Sequence, residues 1–310
     1  MKKVIPQCVK KIVKSLFKKK IKNFFKRTDC SKKVLISYIT APFKKQSLSH
    51  TNYYEVTCAA EIFNELGYQV DVMDFEGWVP NLDEYDVIYG FGDVFQKYFE
   101  SGLSEKKTIY YGAGMHGCHQ NTATLKRVKS VYKRKGKWIA KSARFVEKTW
   151  THQTSLVDGI IALGNEECKK TYEKYYDGKV YSLPAPFFKT LHGHDVLKSR
   201  QPKAQKSFLW FGSTGLVHKG LDLCLDYFSS RPELNLHICG NILSEPEFVK
   251  LYKHELFDMA NIHVHGFIDV ASLKFKSILE KCSFTILPSC SEGGSPSVLT
   301  AIGNGAHIPL

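Results

Sequence analysis

The sequence predicts an α/β protein made of two doubly wound, Rossmann-like units in tandem. Three observations carry that prediction. Short, nearly continuous apolar runs recur from residue 34 onward, helical stretches separate many of them, and a polar segment opened by two prolines divides the series. Continuous apolar runs suit parallel strands, which are buried on both faces. A chain of 310 residues with 43% apolar content is also long enough for two ordinary cores.

Taken in order, KVLISYI, YQVDVMDF, YDVIYGF, KTIYYGA, DGIIALG and KVYSLPA read as the strands of a first unit over residues 34–187. Helices are expected at 52–66 and 165–175. Pro184 and Pro186 then open a polar stretch, and 188–206 reads as a linker. The second unit, 207–310, repeats the alternation: SFLWFG, a helix at 219–229, LNLHICG, a helix at 245–257, NIHVHG, a helix at 270–281, and SFTILP. The sequence stops at GAHIPL, where another strand would begin, so this unit is expected to be incomplete. Two such units leave a cleft at which open parallel sheets present their binding loops.

Charge is concentrated at one end. Residues 1–33 hold 13 of the 44 Lys and Arg and a single acid, Asp29, whereas the rest of the chain is close to neutral. A nucleic-acid enzyme spreads its basic residues over the folded body, so a nucleic-acid partner is not expected. Within 1–33, Val9, Ile12, Val13, Leu16, Phe17, Ile21 and Phe24 recur at helical spacing among lysines, with Lys20 interrupting the stripe. Such a basic amphipathic helix is expected to lie on an anionic membrane surface, contacted through residues 1–28, the alternative being packing on its own domain with a solvated basic face.

The first 30 residues lack the apolar centre of a secretory signal, and no run of 18 apolar residues exists. Nine cysteines are scattered without a C-x-x-C pair, which fits a reducing compartment. The expected location is the cytoplasm, peripheral on the inner face of the cell membrane.

Two loops carry the chemistry. In FGSTGLVHKG (211–220) a strand ends at Gly212 and Ser213, and Lys219-Gly220 opens a helix. Glycine permits close backbone approach, a helix N-terminus offers free N–H groups, and Lys219 adds a full positive charge; together these suit a pyrophosphate. A tight turn with a surface lysine has the same signature. In LPSCSEGGSPSVLTA (287–301) another strand-to-helix loop holds the carboxylate of Glu292, which suits sugar or ribose hydroxyls, beside the amides of Gly293, Gly294 and Ser295. Glu292 as a simple electrostatic helix cap is the alternative. The two loops lie at equivalent strand ends of one unit, and the conjunction is more specific than either alone.

A Lys-Gly loop followed by a later Ser-Glu-Gly loop resembles the retaining glycosyltransferases of family 4 and their GT-B relatives. FLWFGSTGLVHKGLDLCLDYF and ILPSCSEGGSPSVLTAI are most similar to enzymes of bacterial surface-polysaccharide clusters. ELGYQVDVMDFE, YYGAGMHGCHQN and DGIIALGNEE extend the resemblance into the first unit, over residues 34–310 in all. The resemblance implies a GT-B architecture and transfer of a sugar, with retention, from a nucleoside-diphosphate-sugar to a glycan or glycolipid acceptor.

It also implies roles: Lys219 on the donor diphosphate with Gly212, Ser213 and Gly220 around it, Glu292 on the transferred sugar, and His116 facing that sugar. The family's second carboxylate falls at Thr300, a departure, and its glycine-rich loop after the first strand is replaced by TAPFKKQSLSHTN. His50, Asn52 and His119 are candidates for acceptor or closure contacts, and Arg127 and Arg144 for steering phosphate. No Asp-x-Asp pair occurs, and HGCH lacks a partner pair at zinc spacing, so neither cofactor nor metal is expected. Two further readings remain open, a sugar-nucleotide epimerase and an inactive sugar-nucleotide-binding protein.

Overall fold

The structure is a computed structural model that describes residues 20–76, 78–146 and 153–309. The chain forms two compact units that are not consecutive halves. Among the described residues, unit 1 holds everything up to Ala113, the stretch ending at Leu163, and Lys169–Leu183; unit 2 holds the rest.

Unit 1 opens with strand β1 (Lys33–Tyr38), helix α1 (Asn52–Glu65) and β2 (Gln69–Asp74), followed by β3 (Val87–Gly90), α2 (Asp93–Glu100) and β4 (Lys107–Gly112). Helix α3 (Gly117–Lys135) belongs to unit 2. Strand β5 (Gly159–Leu163), helix α4 (Glu166–Glu173) and β6 (Val180–Leu183) then complete the first sheet. All six strands are parallel, in the order β2-β1-β3-β4-β5-β6. Every apolar run read as a strand in this unit is one, and the innermost are buried on both faces: Val34, Leu35 and Ile36 of β1 are all fully buried.

Unit 2 continues with α5 (Gly193–Lys198), β7 (Ser207–Phe211), α6 (Leu221–Ser229), β8 (Asn235–Cys239), α7 (Pro246–Leu251), α8 (Lys253–Phe257), β9 (Ile262–Gly266), α9 (Leu273–Lys281), β10 (Phe284–Thr285) and α10 (Pro296–Gly303). Its four parallel strands run β10-β7-β8-β9. The helix expected at 245–257 is two short ones, meeting at Tyr252, whose ring is fully buried in the core. Helix α6 begins at Leu221 rather than 219 because Gly220 takes a left-handed conformation, with φ +72.

Helix α3 escapes the sequence reading, being polar along most of its length. Val128 and Val131 are nonetheless fully buried, in one cluster with Trp210, Leu225, Phe228 and Ile238 of unit 2. Ion pairs add to this attachment. Arg134 meets the fully buried Asp222 and, with Lys135, Asp226; Lys135 also reaches Glu255 at 3.0 Å.

The stretch expected as a linker, 188–206, is also folded into unit 2. Asn304, fully buried, accepts from the amides of Thr190 and Leu191 at 2.9 and 2.7 Å and donates to the carbonyl of Phe188 at 2.7 Å. Val196 and Ala204 are buried beneath the same segment. Burial of these few apolar residues, rather than composition, decides that the stretch is ordered.

The N-terminal segment departs most from expectation. Residues 1–19 of the expected helix lie outside the described residues, and 20–28 are not helical. Instead Ile21 bridges Val72 antiparallel, with paired N–H to carbonyl bonds of 2.8 and 2.9 Å, and Phe24 donates to Val70 at 3.0 Å. The reason is the sheet edge: β2 is the terminal strand, and its unpaired backbone groups are satisfied by this segment. Lys20, which breaks the apolar stripe, is buried and pairs with Asp71 at 2.8 Å. Burial pushes the Asp71 carboxyl up, but hydrogen bonds from Lys20, Asn23 and Tyr85 outweigh it and hold the group below its ordinary range. No helix among the described residues is long and apolar enough to cross a membrane. Cys224 and Cys239 are buried free thiols, as their apolar settings suggest.

On the face of β8 and β9, His237 hydrogen-bonds His265 through Nδ1 and Nε2 at 2.9 Å and packs against His263. Burial, followed by the neighbouring histidines and Lys281, lowers His237 to about 3. A folded value below the unfolded one, about 6.5, means that the neutral ring favours folding. That stability is intact above about pH 6.5 and is lost as pH falls toward the folded value. His237 therefore costs about 2 kcal/mol between pH 6.5 and 5. In urea unfolding across this range, His237→Gln should lose less stability than the parent by about that amount.

Candidate functional site

The strand order of unit 2 locates the site before any side chain is considered. From β7 the chain steps through β8 to β9 on one side, then returns to place β10 on the other. The loops leaving β7 and β10 therefore separate at a topological switch point, where open α/β sheets bind ligands. These are the two loops that the sequence singles out.

The loops are sewn together by backbone and side chain. The amide of Cys290 donates to the carbonyl of His218 at 2.9 Å, and the Ser289 hydroxyl oxygen lies 3.0 Å from the same oxygen. Gly220 sits under the Pro288 carbonyl, where an added Cβ would lie 2.2 Å from the oxygen. Gly212 has a different cause. An added Cβ there would meet the Trp210 ring at 2.6 Å, and that indole donates to the Lys219 carbonyl at 3.2 Å. Its glycine therefore serves packing.

At the junction the Lys219 ammonium contacts the Glu292 carboxylate, which also accepts from the Ser289 hydroxyl at 2.8 Å. Lys219 is 8% exposed. Burial lowers its pKa, with the nearby Arg144 charge in the same sense, and Glu292 opposes both. Burial raises the Glu292 carboxyl, but Lys219, Ser289 and His218 more than offset it, leaving it below the ordinary carboxylate range. The geometry places the two groups as an ion pair, and the Glu292 carboxylate is the contact that opposes the effect of burial on the lysine.

His218, which the sequence reading passes over, is the hinge of the site. Its Nε2 lies 2.8 Å from the carbonyl of Ser291, an acceptor only, so Nε2 carries the hydrogen. Its Nδ1 then accepts from the Thr124 hydroxyl of α3 at 2.9 Å. Burial, Arg144 and Lys219 lower this ring to about 4, and it is neutral at neutral pH. The residue's only local signal is its place before Lys219.

Not every backbone donor is free. The Gly212 amide donates to the Cys239 carbonyl at 3.1 Å, and the amides of Gly215 and Leu216 donate to the Glu245 carboxylate at 2.5 and 3.1 Å. In the second loop, no acceptor among the described residues meets the amides of Gly293, Gly294 or Ser295. Gly294 needs its missing side chain because an added Cβ would lie 2.1 Å from that of Ala185. Ser295 holds φ at +46, a left-handed conformation that only surrounding contacts maintain.

Thr300 is 2% exposed and its hydroxyl accepts from the Phe188 amide at 3.2 Å, so it secures the 188–191 segment. His116 belongs to unit 2 and caps α3, its Nδ1 accepting from the Cys118 amide at 3.3 Å. Thr124 stands eight residues further along that helix, about 12 Å in rise. His119 is half-buried on the first turn of α3. His50 and Asn52 lie in unit 1, where the Asn52 amide donates to His50 Nδ1 at 3.1 Å.

The two arginines divide. Arg127 is mostly buried and donates to the Pro288 carbonyl at 3.1 Å, fastening α3 to the second loop. Arg144 is exposed, with its side-chain stem lying over Gly215. Among the described residues no His, Cys, Asp or Glu cluster has the geometry to hold a metal ion.

Substituting Gly220→Ala tests this junction, because it adds both left-handed strain and a clash with a backbone oxygen. A loss of at least about 2 kcal/mol in urea unfolding is expected. An unchanged stability would show that the loops are not closed against each other here.

No protein-family profile matches the chain, and no curated protein matches it by sequence. Among solved structures, Anabaena HepE in complex with UDP-glucose is 13% identical over 83% of this chain and 74% of that one, with a TM-score of 0.46. The same protein with UDP and glucose is 12% identical, over the same shares, with a TM-score of 0.45. A UDP-glucosyltransferase from Polygonum tinctorium capable of glucosylating indoxyl is 10% identical over 84% of this chain and 80% of that one, with a TM-score of 0.34. Superpositions this loose carry no functional argument, which rests on the residues themselves.

Proposed function

We propose that this chain is a glycosyltransferase of the GT-B type, taking a sugar from a nucleoside-diphosphate-sugar. The observation that carries the reading is the buried pairing of Lys219 with Glu292 at the switch point of unit 2. A diphosphate needs a desolvated cation and backbone donors. Lys219 supplies the first, with Arg144 as a second positive charge beside it, and the amides of Gly293, Gly294 and Ser295 supply the others.

When a diphosphate takes the ammonium, the Glu292 carboxylate turns to the sugar and accepts from its hydroxyls. During transfer, negative charge grows on the leaving diphosphate, and a cation already desolvated stabilises it without reorganisation. This chemistry calls for no metal. His116 remains the candidate for orienting a hydroxyl or the leaving group, and His50, Asn52 and His119 for contacts to a glycan or glycolipid acceptor. Retention, and a lipid-linked or surface-polysaccharide acceptor handled at the inner face of the cell membrane, complete the proposal.

One observation favours a second reading, a protein that binds the sugar nucleotide without transferring it. Thr300 stands where the resemblance implies a carboxylate, and its hydroxyl is already engaged by the Phe188 amide. Ribose recognition would then rest on other groups.

Thermal unfolding with UDP-, GDP-, ADP- and CMP-sugars separates these readings. A donor at about a hundredfold its Kd adds roughly 3 kcal/mol, a shift of several degrees. One donor should give that shift, and Lys219→Ala should weaken it by about 10- to 100-fold. Stabilisation without release of nucleoside diphosphate in an acceptor screen supports the binding-only reading. A folded protein that no donor stabilises overturns both.

A further inference from the structure

A cavity of about 340 Å³ lies in unit 1. Its walls are Phe24, Phe25, Pro42 and Phe43, and Lys44 and Lys45 stand on its lining. The three rings pack edge to face, with centroids 5.0 Å apart for Phe24 and Phe25 and 4.8 Å for Phe24 and Phe43. The cavity exists because residues 20–28 cover the edge of β2, bringing Phe24 and Phe25 over the turn that follows β1.

The surface beside it is apolar. Helix α1 lends Thr57 and Glu61 to the lining, and Tyr54 and Ile62 of the same helix, with Leu66 just past its end, are 57, 55 and 65% exposed. Leu48 and Phe24 are exposed as well. Exposed apolar residues grouped in this way mark an interaction surface.

Charge indicates which partner. Lys22, Lys26, Lys44 and Lys45 are all exposed around the aromatic wall, with Glu61 the one acid on the cavity lining. The sequence immediately before, residues 1–19, adds seven lysines and no acid. A protein partner would have to bring a matching acidic surface, whereas an anionic lipid combines phosphate and hydrocarbon in one molecule. The volume also falls at the small end of ligand cavities, room for one chain rather than a folded segment.

We infer that unit 1 carries a binding site for an anionic phospholipid, its chain among Phe24, Phe25 and Phe43 and its phosphate on Lys44 and Lys45. The site places membrane contact in a built cavity of the folded unit rather than in the basic terminal sequence alone. It does not depend on the transfer reaction, since its test uses no sugar nucleotide.

Flotation of the full chain with phosphatidylcholine vesicles, with and without phosphatidylglycerol, tests the site. Binding should require phosphatidylglycerol, and Lys44→Glu with Lys45→Glu should weaken it by at least about tenfold. Phe43→Ser and Ile62→Ser should each weaken it severalfold while thermal unfolding confirms a folded chain. Phe43→Trp adds a direct readout, since phosphatidylglycerol brominated along its chains should quench the new indole fluorescence. Undiminished binding by the Phe43→Ser variant, with no quenching in Phe43→Trp, would show adsorption by charge alone and overturn the cavity. Failure of the parent chain to float with phosphatidylglycerol would overturn it too and leave a protein partner as the occupant.

Discussion

A buried ammonium cannot remain charged in a protein interior without a counter-charge and hydrogen-bond acceptors. Lys219 is such a group, and much of unit 2 is arranged around meeting its need. Glu292 can reach it only because β10 lies beside β7, so that loops more than seventy residues apart in sequence leave adjacent strand ends. The loops in turn approach closely because position 220 has no side chain under the Pro288 carbonyl. His218 stays neutral between two positive charges, donating to Ser291 and accepting from Thr124, and so ties the pair to a third element.

That third element, α3, shows how an ionic network can decide membership of a unit. Asp222 is fully buried, which alone is costly, and the guanidinium of Arg134 meets it with Arg127 close by. Removing one partner would leave an uncompensated buried charge, a far larger penalty than the net gain from the intact network. The network is therefore better understood as holding α3 in one place than as a source of stability. From that place α3 supplies Thr124 to His218 and Arg127 to Pro288, both on the walls of the candidate site.

Unit 1 solves a different problem, the open edge of a parallel sheet. Residues 20–28 satisfy the backbone of β2 and bring Lys20 to Asp71, so that a carboxylate inside the sheet is paired. Covering the edge in this way is also what creates the aromatic cavity beside α1. One segment therefore serves both closure of the fold and a surface rich in lysine and phenylalanine.

The strands and the two chemical loops were legible in the sequence because each is encoded within a few neighbouring residues. Apolar runs such as VLIS or IIAL, and Gly-Ser-rich turns carrying Lys219 or Glu292, need no knowledge of the rest of the chain. Four features needed the tertiary structure. The polar helix α3 joins unit 2 through Val128, Val131 and its ion pairs, and 188–206 is ordered by Asn304. Thr300 is spent on the Phe188 amide, and 20–28 abandons its helical periodicity for a strand edge. Each of these depends on partners distant in sequence. By itself the sequence determined which segments form the sheets and where charged groups meet glycine. Only the tertiary structure decided which of those groups are buried together, because desolvation and pairing are properties of the assembled neighbourhood.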